Sequence, residues 1–404
     1  MESLGTQTPP AGKLAPGMPP TAQQPAAGMS AAGMSAAGMA PAEPSAGDPE
    51  AALRAGDPAA APGPSRWRRA RRVMLFSTVA LVLLIAGTLV TGLVTASRYL
   101  SDMRRISNPF AAIPASARAP MPTGAAARDV TFLVGGLDTQ SPVPTTGKQA
   151  KSSIRGRTDT LMLVHLIAGG RGAYVVSIPR DSWVPIPGHG YGKINWAYSY
   201  GGPTLAIRTV EHLTNVRINH FAIIDWAGFR DVTNALGGVS VTIPVTSYDP
   251  MNHVTWTAGR HHLDGRQALL YVRDRYGLAS GDFDRERRQQ YFLRAVFKQL
   301  RQAGTLANPL RMGPVLHALS DAVSVDSTLS DSEMIRLALG LGRLKSSQIV
   351  FAIAPYSGTG TAGDQSVVWL SHSADRGFWH AFEYDSLPAY MRAHGLQQLG
   401  SSTP

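Results

Sequence analysis

The chain has 404 residues, 44% of them hydrophobic, so it can hold one large domain or two ordinary ones around a sizeable core. Its formal net charge is +11, carried mostly by arginine, and this excess suits nucleic acid, anionic lipid headgroups or phosphorylated substrates. Cysteine is absent, which excludes disulfides, thiolate chemistry and Cys-ligated zinc.

The N-terminal part divides by composition. Residues 1–65 are rich in Ala, Pro, Gly, Met and Ser and offer little apolar surface, so we expect a disordered tail. Residues 66–72 form a basic juxtamembrane cluster, and the uncharged run 73–97 is long enough to cross a bilayer core of about 30 Å. A cleaved signal peptide is the alternative, but its apolar core is usually only about 7–15 residues and lies at the N-terminus.

The flanking charges predict how this segment is oriented. Five arginines precede the apolar run and fewer basic residues follow it, so the positive-inside rule places the tail in the cytoplasm. We therefore predict a signal-anchor at 73–97, a single-pass protein of the cell membrane, and an extracytoplasmic chain beyond it. A Pro/Ala-rich linker at 98–127 follows the anchor.

From residue 128 the pattern is that of a globular domain. Apolar runs predict strands at 130–134, 160–167, 173–178, 221–224, 239–243 and 349–353. Helices are predicted at 205–213, 226–236, 268–272, 284–302, 311–322 and 331–344. The interleaving predicts a layered α/β/α domain with a central mixed sheet over 128–355, followed by a C-terminal extension at 356–404.

Four polar clusters lie at the edges of these apolar runs: Asp138, residues 155–159, the pair Arg180-Asp181, and residues 273–289. In open α/β sheets, ligands bind beyond the carboxyl ends of strands, and a hairpin at 160–178 brings the 155–159 turn toward the same end. Two carboxylates with several arginines form the composition expected for a divalent metal that bridges phosphates.

The stretch 273–289 is the most basic of the four clusters. Arg285, Gln289, Phe292 and Val296 recur on one face of a predicted helix for which Asp282 is a plausible N-cap. Because the two apolar residues must pack inward, Arg285 and Gln289 also face inward, and a buried guanidinium needs an anionic partner. Arginine forks suit phosphate oxygens, so we predict a phosphate site. The alternative is a solvated basic helix face.

Several motifs occur in a fixed order: Gly156-Arg-Thr-Asp-Thr160, Ser177-Ile-Pro-Arg-Asp181, Lys193-Ile-Asn195 with Gly201-Gly202, Ala235-Leu-Gly-Gly-Val239, and Tyr271-Val-Arg-Asp-Arg275 with Asp282, Arg285, Arg288 and Gln289. Over roughly 130–300 they resemble the LytR–CpsA–Psr family of cell-envelope enzymes. The resemblance implies a phosphotransferase that moves a glycopolymer from a polyprenyl-pyrophosphate carrier to peptidoglycan, through a phosphodiester, outside the membrane of Gram-positive bacteria.

The resemblance also implies roles for individual residues. Asp138 and Asp159 match aspartates that bind Mg²⁺. The residues that match pyrophosphate-binding positions are Arg157, Arg180, Arg273, Arg275, Arg285 and Gln289, with Arg180, Arg273 and Arg275 assigned to catalysis. One departure is that the family commonly has an arginine near its first Asp, where this chain has Thr139-Gln140, so a phosphate contact is missing or is supplied by Arg155.

Two other functions use the same residues. A phosphatase or pyrophosphatase would act on the same lipid with water as the acceptor, and a non-catalytic, membrane-anchored binder of anionic wall polymers would use the arginines only to grip phosphates. For the transferase, the candidate that orients the acceptor hydroxyl is Asp181 or a carboxylate that is associated with the metal. No nucleic-acid partner is expected, because the basic stretch is predicted to be extracytoplasmic.

Overall fold

The structure is a computed structural model that describes residues 97–138, 144–148, 150, 156–302, 309–396 and 398. The predicted tail at 1–65, the basic cluster at 66–72 and all but the last residue of the predicted anchor lie outside these residues, as does Arg155. Among the described residues, no helix combines the length and the apolar character needed to cross a membrane.

The described chain contains fifteen strands, numbered in chain order. They are β1 Arg104–Ile106, β2 Val130–Asp138, β3 Arg157–Ile167, β4 Gly172–Ser177, β5 Trp183–Ile186, β6 Gly190–Lys193, β7 His220–Asp225, β8 Val239–Ile243, β9 Ser247–Asp249, β10 Val254–Trp256, β11 Gly259–Leu263, β12 Val323–Asp326, β13 Ile349–Ile353, β14 Tyr356–Ala362 and β15 Gln365–Leu370.

Eight α-helices of the described chain are numbered in the same way. They are α1 Ile194–Thr214, α2 Trp226–Ala235, α3 Gly265–Arg273, α4 Asp282–Gln302, α5 Pro309–Ala322, α6 Asp331–Arg343, α7 His372–Glu383 and α8 Leu387–Ala393. α3 begins with a capping box, because the Asp264 side chain accepts from the Gln267 backbone N–H and the Gln267 side chain accepts from the Asp264 backbone N–H.

The central sheet has seven strands in the order β1-β12-β7-β2-β3-β4-β13. The pairs β1–β12, β7–β2 and β4–β13 are parallel, and the pairs β12–β7, β2–β3 and β3–β4 are antiparallel. The predicted hairpin between β3 and β4 is therefore confirmed, and so is the predicted mixed sheet.

Helices cover both faces of this sheet, because successive side chains on a strand point to opposite faces. On one face Leu163 and Val176 pack into a core that α1, α7 and α8 complete. On the other face Met162 and Val175 pack with Phe297 of α4 and with Leu341 of α6. The sheet thus lies between two helical layers, which positions the ends of its strands for a site at the sheet edge.

Two sequence-based boundaries were wrong. The strand predicted to end before Gly135-Gly136 runs on to Asp138, with a register irregularity between Gly136 and Leu137. The helix predicted from residue 205 belongs to α1, which begins at Ile194 and kinks where Gly201 and Gly202 leave helical geometry. Gly202 has φ of 59°, a conformation that glycine adopts without steric cost, so the chain can turn there before Pro203 restarts the helix.

The segment after residue 355 packs on the same core as the central sheet. Its α7 contributes Phe378, Trp379 and Phe382, three aromatic side chains that are at most 2% exposed. Its hairpin β14–β15 contacts the site described next.

Candidate active site

Three of the predicted polar clusters lie at one edge of the central sheet. β2 ends at Asp138, β3 begins at Arg157, and Arg180 follows β4. Because β3 is antiparallel to both neighbours, its beginning lies beside their ends, and Asp138 is the register partner of Arg157. The sequence-based expectation that these clusters converge is confirmed by the strand register.

Arg180 contacts three carboxylates. Its Nη1 donates to Asp159 Oδ1 at 2.8 Å, its Nη2 lies 3.1 Å from Asp282 Oδ2, and its Nε lies 3.4 Å from Asp181 Oδ2. Burial alone would lower the pKa of Arg180, but these carboxylates outweigh it and raise the pKa above its usual value. The guanidinium is therefore permanently charged and fixed by its partners, although its side chain keeps 16% exposure toward the site.

Asp159 is the most enclosed carboxylate of this group that faces Arg180. Burial raises the pKa of Asp159 above its usual value, Arg180 opposes the rise, and the charge of Asp138 adds to it. The charge of Asp138 therefore makes the ionisation of Asp159 more costly. Such a pair is stabilised in its fully ionised form by a nearby cation.

Asp282 is the residue that sequence reasoning missed. It was predicted as the cap of a helix and occurs in a motif of the resemblance, but it was given no role in the site. It is the first residue of α4 and contacts three arginines: Arg180 at 3.1 Å, Arg285 at 3.2 Å and Arg275 at 3.9 Å. Asp282 lies three residues before Arg285, and this spacing was visible in the sequence. An aspartate that only caps a helix can have the same spacing, so the sequence did not reveal the other contacts of Asp282.

The predicted inward face of α4 is confirmed for Arg285, Gln289 and Phe292, which are 4%, 8% and 1% exposed. Val296 is half-buried against a neighbouring apolar cluster. Burial and the adjacent Arg180 lower the pKa of Arg285, and its Nε has no hydrogen-bond partner among the described residues. The alternative of a solvated basic face is therefore wrong for Arg285.

Not every arginine of the 273–289 stretch belongs to the site. Arg288 is 1% exposed and donates to Asp274 Oδ2 at 2.8 Å, while its guanidinium carbon lies 4.8 Å from the centre of the Tyr271 ring. Arg287 pairs with Asp284 at 2.9 Å on the same helix. These two arginines hold α4 and the preceding loop in place.

Arg273 and Asp138 meet at Trp226, the first residue of α2. The Trp226 Nε1–H donates to Asp138 Oδ1 at 3.0 Å, and the Arg273 guanidinium lies 5.3 Å from the centre of the indole ring. Arg273 Nη2 is 3.7 Å from Asp138 Oδ1, and its side chain is 47% exposed. Trp226 therefore orients both groups, which sequence reasoning did not anticipate.

Gln289 uses both ends of its amide within the protein. Its Oε1 accepts from the Thr160 hydroxyl at 3.0 Å, and its Nε2 donates to the Val272 carbonyl at 3.3 Å. It thereby links α4 to β3 and to the end of α3. Gln289 borders a small pocket of about 290 Å³ that Arg273 and Arg285 also line.

The site opens into a cleft of about 1850 Å³. Its charged lining residues are Arg157, Arg180, Lys193 and Arg275 on the cationic side and Asp138, Asp159, Asp181 and Asp282 on the acidic side. Aromatic side chains at Trp196, Tyr198, Tyr200 and Phe283 form another part of the wall, and the β14–β15 hairpin closes one side. Phe283 stacks on Tyr356 of β14, with ring centres 4.2 Å apart.

Asp138 and Asp159 fit the ligand set of a magnesium ion. Each uses its Oδ1 in the contacts with Trp226 and Arg180, and a carboxylate has a second oxygen for a cation. Mg²⁺ prefers oxygen ligands and is usually held by one or two carboxylates together with substrate phosphates. The mutual repulsion of the two carboxylates is an electrostatic reason for a cation between them.

The cleft has four cationic and four acidic side chains in its lining, so their formal charges cancel. The arginines offer planar forks for the phosphate oxygens. The arrangement therefore offers guanidinium groups for phosphate oxygens and two carboxylates for a divalent cation.

Residues 107–376 match the family model described as the LytR_cpsA_psr family. The "Probable cell wall biosynthesis protein LcpB" of Corynebacterium glutamicum is 39% identical over 186 residues, which are 46% of this chain and 44% of that protein. The "Polyisoprenyl-teichoic acid--peptidoglycan teichoic acid transferase TagU" of Enterococcus faecalis is 34% identical over 199 residues, which are 48% of this chain and 64% of that protein. The chain thus spans about half the length of the curated relatives it matches.

Solved structures share this fold. Bacillus subtilis TagV superposes with a TM-score of 0.52 at 24% identity, covering 65% of this chain and 98% of that one. The "LytR-Csp2A-Psr enzyme from Actinomyces oris" superposes with a TM-score of 0.53 at 20% identity, covering 70% of this chain and 96% of that one. At these identities the likeness establishes the mixed α/β fold alone.

Proposed function

The chain belongs to the LytR_cpsA_psr family, and on this basis we propose that it transfers a glycopolymer from a polyprenyl-pyrophosphate carrier to peptidoglycan, joining the two through a phosphodiester. The relatives named as teichoic acid transferases support this class of reaction. The observation that carries the proposal is the arginine–aspartate cluster around Arg180 at the wall of the large cleft.

The arginines bind and orient the carrier's pyrophosphate. Arg285 is buried, Arg180 is half-buried, and both are fixed by ion pairs, so little side-chain entropy is lost when they bind phosphate oxygens. The more exposed arginines are Arg157, Arg273 and Arg275. In this proposal they contact the same pyrophosphate, Arg157 from the start of β3 and the other two from the end of α3. Preorganised positive charge is what phosphoryl transfer needs most, because the transition state spreads negative charge over the phosphoryl oxygens.

In the transfer step, a sugar hydroxyl of peptidoglycan attacks the phosphorus that carries the glycopolymer. A new P–O bond forms to the sugar oxygen, the bond to the bridging oxygen breaks, and polyprenyl monophosphate leaves with the electron pair. The hydroxyl proton passes in the same step to the anionic oxygen of the leaving polyprenyl phosphate. In this proposal Asp181, which lines the cleft and is held by Arg180 and Lys193, orients the attacking hydroxyl.

Asp138 and Asp159 are the residues that would hold Mg²⁺, which when bound would neutralise charge on the pyrophosphate oxygens. Trp226 and Arg180 orient the two carboxylates toward the cleft through their Oδ1 atoms. Hydrogen bonds to the carboxylate oxygen that does not bind the metal commonly change the affinity of a site for its metal.

The size of the cleft suits two large substrates. Its volume of about 1850 Å³ exceeds the roughly 300–1,000 Å³ of an ordinary small-molecule pocket. The aromatic wall at Trp196, Tyr198 and Phe283 provides apolar surface beside the charged cluster, where the carrier's first isoprenyl units would lie. A single cleft with one charged and one apolar wall fits an amphiphilic donor.

The donor and acceptor both belong to the cell envelope, so the proposal includes the signal-anchor at 73–97 and an extracytoplasmic catalytic part. The sequence supports this topology through its apolar run and the basic cluster at 66–72. A reporter enzyme fused to the C-terminus, in versions that work only inside or only outside the membrane, tests it. Activity of the cytoplasmic reporter alone contradicts the topology.

The function is tested with the full-length chain in detergent, a polyprenyl-pyrophosphate-linked oligosaccharide and a peptidoglycan oligomer, with and without Mg²⁺. Mass spectrometry follows the products. The proposal predicts an Mg²⁺-dependent glycan–peptidoglycan adduct joined by a phosphodiester. Carrier hydrolysis without an adduct would instead identify a phosphatase, and bound but unchanged carrier would identify a non-catalytic binder.

A further inference from the structure

A second group of polar side chains lies at the opposite edge of the central sheet. Asp129 directly precedes β2, His165 is near the end of β3, and Asp385 lies between α7 and α8. Asp129 and the candidate Mg²⁺ ligand Asp138 are nine residues apart along one extended strand, which corresponds to about 30 Å. This group is therefore separate from the cleft.

Three polar atoms of this group face one another. His165 Nε2 lies 3.5 Å from Asp385 Oδ1 and 3.8 Å from Asp129 Oδ2. Within the part of the chain that the structure describes, this is the one group of three His, Asp or Glu side chains whose ligand atoms all lie within 4.8 Å of one another. None of the three atoms has a hydrogen-bond partner among the described residues.

The other polar atom of each side chain is held by a neighbour. His165 Nδ1 is 2.9 Å from the Thr131 hydroxyl, Asp129 Oδ1 accepts from the Ala168 N–H at 2.7 Å, and Asp385 Oδ2 lies 3.4 Å from Arg171. When Nδ1 donates to Thr131, the lone pair of Nε2 is directed at the two carboxylates. Metal-binding histidines are commonly oriented in this way by a partner on the second nitrogen.

The burial of the group makes unpartnered atoms costly. His165 is 1% exposed and Asp129 is 6% exposed. The His165 ring is also fixed by packing, with its centre 5.1 Å from that of Phe382. A carboxylate oxygen that is buried without a hydrogen-bond partner loses its hydration, and Asp129 Oδ2 is such an atom.

A protonated His165 could form a hydrogen bond to only one of the two carboxylates, whereas a metal ion could bind both. The single Nε2–H can point at only one of the two carboxylates, and both lie at or beyond the limit of a hydrogen bond. A metal with bonds of about 2.1 Å and tetrahedral angles separates its ligand atoms by about 3.4 Å. The observed separation of 3.5 Å between His165 Nε2 and Asp385 Oδ1 is close to that value.

We propose that Asp129, His165 and Asp385 form a structural binding site for a divalent transition-metal ion of the Zn²⁺ class. One imidazole nitrogen with two carboxylates suits Zn²⁺, whereas Mg²⁺ and Ca²⁺ prefer oxygen ligands alone. A divalent ion cancels the two carboxylate charges, and the partly exposed side of Asp385 admits water as a fourth ligand. The ion joins the α7–α8 turn to β2 and β3.

The backbone at Asp385 is consistent with a residue held in place by its side chain. Its φ is 59°, a left-handed conformation that is uncommon for residues other than glycine. The site thus fastens the C-terminal helices to the sheet, whose opposite edge forms the cleft.

The test uses the full-length chain in detergent, with Asp138→Asn and Asp159→Asn introduced together so that the cleft does not contribute binding. After treatment with a chelator, this protein is titrated with Zn²⁺ alone by calorimetry, and with Co²⁺ as a spectroscopic probe of nitrogen and oxygen ligation. The proposal predicts one Zn²⁺ per chain and an increase in Tm of several degrees on binding.

Asp385→Asn in that background is predicted to weaken Zn²⁺ binding at least tenfold and to abolish the Tm increase. Asp129→Asn is a second variant with the same expectation, and Asp331→Asn, on α6 and paired with Arg105, is the matched control that should bind normally. Without metal, Asp385→Asn should fold at least as well as its parent, because it removes one of two repelling charges. Absence of stoichiometric Zn²⁺ binding, or binding unchanged in both cluster variants, would overturn the proposal.

Discussion

The guanidinium of Arg180 lies 3.1 Å from the Asp282 carboxylate, and this ion pair joins the residue that follows β4 to the first turn of α4. The two residues are 102 positions apart in the chain. Asp282 is shared with Arg275 and Arg285, so it sets the spacing of three arginines at the cleft before any ligand arrives. The candidate active site is therefore preorganised by an acidic residue that competes with phosphate for the same arginines.

Arg180→Lys tests whether the planar fork of Arg180 is needed for transfer. An ammonium keeps the charge but cannot reach Asp159, Asp181 and Asp282 together, so the pyrophosphate loses a fixed bidentate partner. We expect the transfer rate to fall by roughly 100-fold, measured as the initial rate of adduct formation. Arg171→Lys, which changes an exposed arginine remote from the cleft, is the control. A near-normal rate in Arg180→Lys would exclude Arg180 from the mechanism.

Asp282→Asn should increase the affinity for inorganic pyrophosphate. The three arginines lose a competing carboxylate but keep a side chain of the same shape, so we expect Kd to decrease by about fivefold, which is roughly 1 kcal/mol. Calorimetric titration with inorganic pyrophosphate measures the Kd of the wild type and of each variant. Asp284→Asn is the matched control from the same helical turn, since Asp284 pairs with Arg287 instead. Equal or weaker binding in Asp282→Asn would show that Asp282 does not compete with the ligand.

Arg288→Ala should destabilise the fold strongly while Arg287→Ala should not. Removing Arg288 leaves the Asp274 carboxylate buried without its partner, which costs about 3–5 kcal/mol. The partly exposed Arg287–Asp284 pair is worth about 1 kcal/mol or less. Denaturant unfolding of both variants measures the difference. Similar free energies of unfolding would mean that the buried pair has no special structural role.

Glu286 gives the fold a pH dependence. Burial, which outweighs the opposing effect of Arg285, raises the pKa of Glu286 to about 8 from 4.5. The folded state therefore binds the proton more tightly than the unfolded state. The contribution of Glu286 to stability is full below about pH 4.5 and is lost as the pH rises through about 8.

Glu286→Gln cannot ionise, so its free energy of unfolding should not show this loss. We expect the wild-type protein to lose roughly 2–4 kcal/mol relative to the variant between about pH 5 and pH 9, measured by denaturant unfolding. Glu333→Gln, at a half-exposed position on α6, is the control and should follow the wild-type curve. Parallel curves for wild type and Glu286→Gln would contradict the assignment.

Much of the site was predictable because it depends on short-range patterns. Asp138, Asp159 and Arg180 follow from apolar runs whose ends must meet at one sheet edge when β3 and β4 form a hairpin. Arg285 and Gln289 follow from helical spacing against Phe292, whose burial is confirmed. These inferences need only the period of a strand or a helix.

The remaining features depend on contacts between distant residues. Arg285 and Arg288 are both buried on α4, yet Arg285 lines the small pocket beside Arg180 and Arg288 pairs with Asp274. Spacing alone does not make this distinction. Trp226 was predicted as the start of a helix, and its hydrogen bond to Asp138 joins residues 88 positions apart. The β14 strand, rich in Gly and Thr, has weak strand character and was not predicted to line the cleft.

The central claim is that a sugar hydroxyl, not water, attacks the carrier's pyrophosphate. The most direct test runs the transfer reaction with the full-length chain in water labelled with a heavy oxygen isotope and determines the isotope content of the product phosphates by mass spectrometry. The account predicts a glycan–peptidoglycan phosphodiester without label from the solvent, formed by the wild type and greatly reduced in Arg180→Lys. Labelled glycan phosphate or polyprenyl phosphate as the main product would contradict it.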